Sequence, residues 1–411
     1  MSDPSKHLIP AEEALKTVLA GAKAVGPELV DLGNANGRIL AEDLHALRTQ
    51  PPFDASAMDG YAVRQDDICK LPAILKVIGQ SRAGEPFDGK VGDGEAVRIF
   101  TGAVMPPGAD SIVIQENTIA QEASVIVNEG VAAGKFIRKA GMDFKEGEGL
   151  LHTGDPLTSN RLALAASMNH AKVPVFQKPS VALISTGDEL VLPGSATGAG
   201  QIIASNTFGL GASISNTGGR LLDLGIVKDT HGALKDAFLS AINQNADVIV
   251  TSGGASVGDH DLILPVARDL GFDIEIAKIA MRPGKPFIFG KFETGNRTVV
   301  LTGLAGNPVS SLVAFNVFVK PLIQTLAGKK PEALAMQNAI LGKDLPQNDE
   351  RAEYMRAVLS RGVNGELVAT PFDRQDSSML ANLVRADCLI YRPVRAPAAK
   401  TGDACDYVFI E

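Results

Sequence analysis

Three glycine-rich segments, each directly after a short apolar run, carry the residue types best suited to chemistry. Thr186-Gly187-Asp188-Glu189 follows the run at 181–185. Ser252-Gly253-Gly254-Ala255-Ser256-Val257-Gly258-Asp259-His260-Asp261 follows 247–251, and Gly303-Leu304-Ala305-Gly306-Asn307-Pro308-Val309-Ser310-Ser311 follows 298–302. In the second and third, glycines and small hydroxyl residues stand just before a helical pattern. Free backbone N–H groups and the helix dipole there suit phosphate or another tetrahedral oxyanion. Pro308 fits a first helical turn, because the N–H it lacks would have had no partner. Glycine also serves any tight strand-to-helix turn, so one such loop decides nothing and the weight rests on three in one sheet.

Asp188, Glu189, Asp229 and Asp261 fall at or just past expected strand ends. Carboxylates, water and substrate phosphate together make a hard-cation site, and magnesium is the natural candidate. Asp229 and Asp261 also suit helix N-caps. Lys278, Arg282 and Lys285 lie in IAKIAMRPGKPFIFG, where Pro283 and Gly284 turn the chain. A basic pocket is expected there, with Arg282 suited to bidentate oxyanion contact, solvated surface charge being the plain alternative. Only six histidines occur, none in a nucleophile elbow and none paired at ligand spacing, so no Ser-His-Asp system is expected and His260 is read as a surface or supporting residue.

Continuous apolar runs at VALIS (181–185), RLLDLGIV (220–227), DVIVTS (247–252) and TVVLT (298–302), with helical stretches between them, predict a doubly wound parallel sheet buried on both faces. Ligands of such sheets sit beyond the carboxyl ends of the strands, so the loops should converge at one edge. Before this region, Ala14, Leu15, Val18 and Leu19 mark an opening amphipathic helix stopped by Gly26-Pro27. Short β-rich runs alternate with Gly and Pro turns over 73–145, and a helical patch covers 159–169. The fold class expected is multidomain α/β plus β. Residues 1–49 and 146–177 form a small discontinuous α+β domain whose first helix can pack on the α/β domain, and 50–145 an inserted β-rich domain. The α/β domain spans 178–328, and 329–411 a C-terminal β-barrel-like domain.

A chain of 411 residues exceeds the length at which one core stops growing, so two to four domains are expected. No 18-residue apolar run is expected to cross a bilayer. The start lacks a basic segment followed by an apolar core, so a cytoplasmic address is expected. Cys69, Cys388 and Cys405 are odd in number and far apart, which predicts buried thiols rather than disulfides or zinc. A formal charge of −8 disfavours nucleic acid, and the absence of Trp argues against broad stacking platforms, so any phosphate ligand should be small.

FDASAMDGYA (53–62), RIFTGAVMPPGAD (98–110), STGDEL (185–190), GQIIASN (200–206), TSGGASVGDHD (251–261), MRPGKP (281–286) and GLAGNPVSS (303–311), taken in order, resemble the molybdopterin molybdenumtransferases, known as MoeA in bacteria and as the E domain of gephyrin in animals. The resemblance runs from the first helix to the C-terminal β domain and makes the α/β domain MogA-like. It implies an enzyme that takes adenylylated molybdopterin and molybdate, cleaves the adenylate with a divalent metal and releases AMP. It also implies an elongated homodimer with the active site shared between subunits, and contact with molybdopterin adenylyltransferase and molybdoenzyme-maturation proteins. Carried onto matching positions, Asp59, Thr101 and Asp143 approach the site from the inserted domain. Glu189, Asp229, Asp261 and Lys278 handle substrate and metal, with Glu189 and Asp261 as metal ligands. Gly187, Asp188, Ser205, Asn206, Gly253, Gly254, Gly258, Gly306, Asn307 and Pro308 belong to the pterin-nucleotide loops. Ser256, Arg282, Lys285, Ser310, Arg356 and Ser377 or Ser378 match the molybdate-binding set. Met142 stands where members commonly have Glu, Ala305 where they have Pro, and Ala255 where they have Val.

Two rival readings stand beside this one. An adenylyltransferase or pyrophosphatase acting on a pterin or nucleotide phosphate uses the same α/β module. A diverged scaffold, or a paralogue handling another oxyanion such as tungstate, would keep the fold with a different role.

Overall fold

The computed structural model describes residues 8–254, 262–295, 297–330 and 335–410. They form two units, one made of Met1–Glu28, Gly37–Ala41 and Val175–Glu411, the other of Leu29–Asn36 and Glu42–Pro174.

In the first unit every residue of β1 (Ser180–Thr186) is buried, as the unbroken apolar run requires. Around it lie α1 (Ser205–Thr217), β2 (Arg220–Val227), α2 (His231–Asn243), β3 (Val248–Ser252), α3 (Ile263–Asp269), β4 (Asp273–Arg282), β5 (Pro286–Thr294), β6 (Arg297–Leu304) and α4 (Pro308–Leu326). The sheet runs β2-β1-β3-β6-β5-β4. Its first four strands are parallel, as the sequence predicts, while β5 runs antiparallel between β6 and β4.

Side chains alternate across the strands and divide the core in two. Val181 and Leu183 face α1 and α4, together with Leu210, Ile214 and Val313. Ala182 and Ile184 face α2 and α3, together with Leu234, Phe238 and Val266. The opening helix Ala11–Leu19 packs Ala11, Ala14 and Val18 into the first of these cores. Phe287 of β5 is fully buried with its ring centroid 4.6 Å from that of Phe318 on α4.

α4, the longest apolar helix among the described residues, bears on the expectation that no 18-residue run crosses a bilayer. By length and composition it is apolar enough to cross a membrane, but 72% of it is buried inside the unit, as befits a core helix. A π turn over Phe315–Val319, closed by the Lys320 N–H on the Phe315 carbonyl, lets Pro321 enter the helix without its missing N–H breaking the next turn.

The same unit continues into β7 (Gln337–Leu341), β8 (Ala352–Arg361), β9 (Leu367–Pro371), α5 (Leu380–Val384), β10 (Cys388–Arg392) and β11 (Ala404–Phe409). Their order, β8-β9-β7-β11-β10 with β10 returning to β8, closes a five-stranded barrel. Met281↔Ala352 and Arg282↔Glu353 join β4 to β8 in parallel, so barrel and α/β sheet share one hydrogen-bonded surface. Burial pushes the Cys388 thiol up to about 12 and the Cys405 thiol up to about 11, leaving both inert, whereas Cys69 is exposed and not the buried thiol expected.

The second unit carries a six-stranded sheet in the order Ser111–Ile114, Gly60–Val63, Glu95–Ile99, Ala73–Ser81, Ser124–Val127, Thr118–Ala120. Tyr61 and Val63 pack on one face with Leu75 and Val113, and Ala62 on the other with Ile99 and Ile112. The motif around Asp59 needs its glycine, since a Cβ on Gly60 would lie 2.0 Å from the Val113 carbonyl oxygen.

Truncating Phe287 to alanine should cost the first unit about 3–5 kcal/mol, read from the midpoint of its urea transition. A loss below about 1 kcal/mol would show that the β5–α4 contact is not part of the core.

Candidate active site

The parallel ladders place Ile184, Thr251 and Gly303 side by side, and one step later Ser185, Ser252 and Leu304. The three loops after these strands therefore start level with one another. Gly253 has φ +97°, and a Cβ on it would lie 2.2 Å from the Thr186 carbonyl oxygen, so only glycine lets the first two loops approach this closely.

One side chain ties the arrangement together. Asn206, near the start of α1, donates from Nδ2 to Ser252 Oγ (2.9 Å), to the Gly306 carbonyl (2.8 Å) and, more weakly, to Ser311 Oγ (3.3 Å). Ser311 Oγ is directed in turn at the carbonyls of Ala305 and Asn307. Ser185 and Thr207 share a hydroxyl contact of 2.7 Å.

Between the loops lies a cavity of about 570 Å³. Glu189, Ser205, Asn206, Asp229, Gly253 and Gly254 line it, as do Gly306, Asn307, Pro308 and Ser378. The N-terminal ends of α1 and α4 thus both open onto one space, and two positive helix ends favour an anionic ligand there. Leu190, Ile202 and Ile203 line it too, and this apolar contribution was not anticipated. Its only signal in the sequence is a pair of isoleucines inside a Gly-rich stretch.

Asp229 is not the N-cap of α2. Thr230 holds that position, its hydroxyl accepting from the Ala233 N–H, which frees the Asp229 carboxylate to accept from Thr186 Oγ1. The Asp229 N–H donates to Asp188 Oδ1 at 3.3 Å, and Gly187 closes the turn that presents Asp188 and Glu189, both exposed. Among the described residues no three His, Cys, Asp or Glu side chains cluster as a metal cage. Glu189 and Asp229 on one cavity match the sparser set magnesium takes, one or two carboxylates completed by water and substrate phosphate. Ser256, Gly258 and Asp261, with Ala255 and His260, lie outside the described residues.

The basic turn is more neutral than the sequence suggests. Arg282 pairs with Asp349 and, at 3.5 Å, with Glu353. Asp349 is held below the usual carboxylate range, chiefly by Arg351 and further by Arg282. Lys285 is half-buried and its carbonyl accepts from the Ile279 N–H. Lys278 is half-buried on β4, opposite the cavity-lining Pro286. Ser310 is buried on α4, with its carbonyl against Gly284 of the turn.

The barrel contributes as well. The Ser377 carbonyl accepts from the Val309 N–H (3.1 Å), Asn307 Nδ2 donates to Ser377 Oγ (3.0 Å), and Ser378 lines the cavity. Arg356 is 1% exposed, and burial lowers its pKa. Its Nη1 donates to the Asp376 carbonyl, while its Nη2 meets no hydrogen-bond partner among the described residues.

In the second unit Asp59 Oδ1 accepts from both the backbone N–H and the hydroxyl of Thr101, each at 2.8 Å. These bonds first, and the Arg98 charge last, hold its pKa below the ordinary value. Asp143 is exposed in a turn anchored by its own N–H on the Gln50 carbonyl.

Three family models match the chain in sequence order: the MoeA N-terminal region (domain I and II) over 9–169, the probable molybdopterin binding domain over 182–325, and the MoeA C-terminal region (domain IV) over 338–410. A molybdopterin molybdenumtransferase of Haemophilus influenzae is 37% identical over 88% of this chain and 89% of its own length. The chain belongs to the molybdopterin molybdenumtransferase family. Another member, from Bacillus subtilis, is 35% identical over 94% of this chain and 90% of its own. The crystal structure of a molybdopterin biosynthesis MoeA protein from Pyrococcus horikosii superposes with a TM-score of 0.83 at 31% identity, covering 98% of this chain and all of that one. The α/β domain, the closed barrel and the β-rich unit described above are those of this transferase family.

The Thr101 bonds favour the charged form of Asp59, so their contribution to folding is present above the ordinary carboxylate pKa and is lost as pH falls through the lowered folded value. Thr101→Val should therefore move the Asp59 pKa upward, toward 3.8, in a carboxyl-carbon NMR titration. An unchanged value would remove the Thr101 hydroxyl as a cause and leave the backbone N–H.

Proposed function

We propose that this chain inserts molybdenum into adenylylated molybdopterin, taking molybdate and the pterin nucleotide as substrates and releasing AMP and the molybdenum cofactor. The observation that carries the reading is the single cavity onto which two helix N-termini, Gly253, Gly254 and Gly306 all open, a cradle for a phosphate-bearing ligand. Its apolar contribution from Leu190, Ile202 and Ile203 suits the flat ring of such a nucleotide.

In this reading water or a molybdate oxygen attacks the adenylate phosphorus and the bridging P–O bond breaks; AMP departs carrying the attacking oxygen, which for molybdate means that its Mo–O bond breaks as well. The pterin sulfurs replace oxygens on molybdenum, and those oxygens leave as water with no change of oxidation state. Asn206, Ser252 and the glycine backbone orient the nucleotide, and Lys278, Arg282 and Lys285 offset the charge of molybdate and phosphate. Glu189 and Asp261 are the proposed ligands of magnesium, with Asp229 on the same cavity; when bound, magnesium would supply charge neutralisation at the phosphates. Positioning and electrostatics then account for the acceleration without a covalent nucleophile.

The chain acts as a cytoplasmic homodimer in this proposal, with the partner subunit's Asp59 and Thr101 completing the site. Arg282 must then exchange Asp349 for the oxyanion, and barrel residues Arg356, Ser377 and Ser378 support the molybdate side.

With purified adenylylated molybdopterin, molybdate and magnesium, Asp261→Asn and Lys278→Ala should each slow AMP release about 10²- to 10³-fold. Parental rates in both would sink the assignment. Consumption of ATP with unmodified molybdopterin would point instead to adenylyl transfer.

A further inference from the structure

After Phe372, whose N–H donates to the Arg356 carbonyl (3.1 Å), the chain crosses from the barrel to the cavity over residues 373–379 without a strand ladder. Such a segment gains no order from secondary structure, and fixing each of its residues costs backbone entropy. Yet it delivers Ser377 to the start of α4 and Ser378 to the cavity lining.

Gln375 supplies the missing ladder. Its Oε1 accepts from the Arg356 backbone N–H (3.0 Å) and from Arg356 Nε (3.1 Å). Its Nε2 donates to the carbonyls of Arg356 (2.9 Å) and Phe372 (3.0 Å). The side-chain amide thus pairs with both backbone groups of one β8 residue, as a neighbouring strand would, and fixes the guanidinium as well. Arg356 Nη1 then pins the Asp376 carbonyl at 2.8 Å, and Asp376 Oδ1 accepts from the Ser378 N–H (2.8 Å) and hydroxyl (2.6 Å). Hydrogen bonds run without a gap from Gln375 to the cavity.

We propose that Gln375 is a positioning residue for this site: it holds the 375–378 turn so that Ser377 caps α4 and Ser378 faces the bound substrate. The inference rests on the proposed function for its kinetic consequence, but not for its structural one. Gln375→Met keeps the length and loses all four hydrogen bonds. Gln375→Glu keeps the acceptor for Arg356 and sets a carboxylate oxygen against two carbonyls, a conflict that protonation relieves.

The test uses the full-length protein and two readouts. Hydrogen exchange at the Val309 N–H, which Ser377 caps, should quicken at least 10-fold in Gln375→Met while exchange in β1 and β3 stays unchanged. In the AMP-release assay, kcat/KM should fall about 10- to 100-fold, as misplacement by an ångström does, and adding Ser378→Ala to Gln375→Met should cost less than it does in the parent. Gln375→Glu should recover relative to parent as pH falls from 8 to 5. Parental exchange at Val309, or a defect strictly additive with Ser378→Ala, overturns the inference. If the parent itself releases no AMP, the functional reading fails while the exchange result still decides the role of Gln375. If Gln375→Met does not fold, the same two readouts on Gln375→Glu decide it.

Discussion

Ser185, Ser252 and Leu304 stand level because β1, β3 and β6 run parallel in one register, and the cavity follows from that constraint. A parallel ladder brings all strand carboxyl ends to the same edge, so each following loop starts from the same line. Register alone leaves the loops free to splay. The Asn206 amide ties the second loop to the third by donating to Ser252, Gly306 and Ser311, and Gly253 leaves out a Cβ that would hold the first two apart. Both devices act on backbone that is irregular, where no ladder bonds supply order.

The barrel belongs to the same construction. β4 passes from the α/β sheet into contact with β8, and Arg282 at that junction is matched by Asp349 and Glu353 from the barrel side. From β8 the line runs through Arg356 and Gln375 to Ser377 on the start of α4. α4 therefore serves twice. Its apolar length, with Phe315, Phe318 and Leu322, fills the core beneath the sheet, and its first residues line the cavity. Core packing and site geometry are coupled through this one rigid helix, which is why a core substitution such as that of Phe287, in contact with Phe318, bears on both.

Much of this was legible in the sequence because the signals are local and periodic. Continuous apolar runs predict strands buried on both faces, and VALIS and Val248–Ser252 are buried at every position. Gly-rich loops at strand ends predict a shared ligand site, and most of the described residues named there line one cavity. What escaped depends on distant partners. The antiparallel pairing of β5 with β4 reads as two apolar runs around a turn either way. Asp229 looks like an N-cap until Thr230 takes that position, and Arg282 looks like a free cation until Asp349, 67 residues away, meets it. α4 is long and apolar enough to cross a membrane, and its burial inside the unit identifies it as core. Gln375 carries no motif chemistry of its own, and its role exists only once β8 is beside it.

The central claim is that Asn206, tying the second loop to the third, closes register-aligned loops into one anion-binding cavity. Isothermal titration of adenylylated molybdopterin into the parent and Asn206→Ala tests it directly. Loss of a side chain that satisfies three acceptors should weaken binding about 10- to 100-fold, with the unfolding midpoint of the unit little changed. Binding within twofold of the parent would contradict the account.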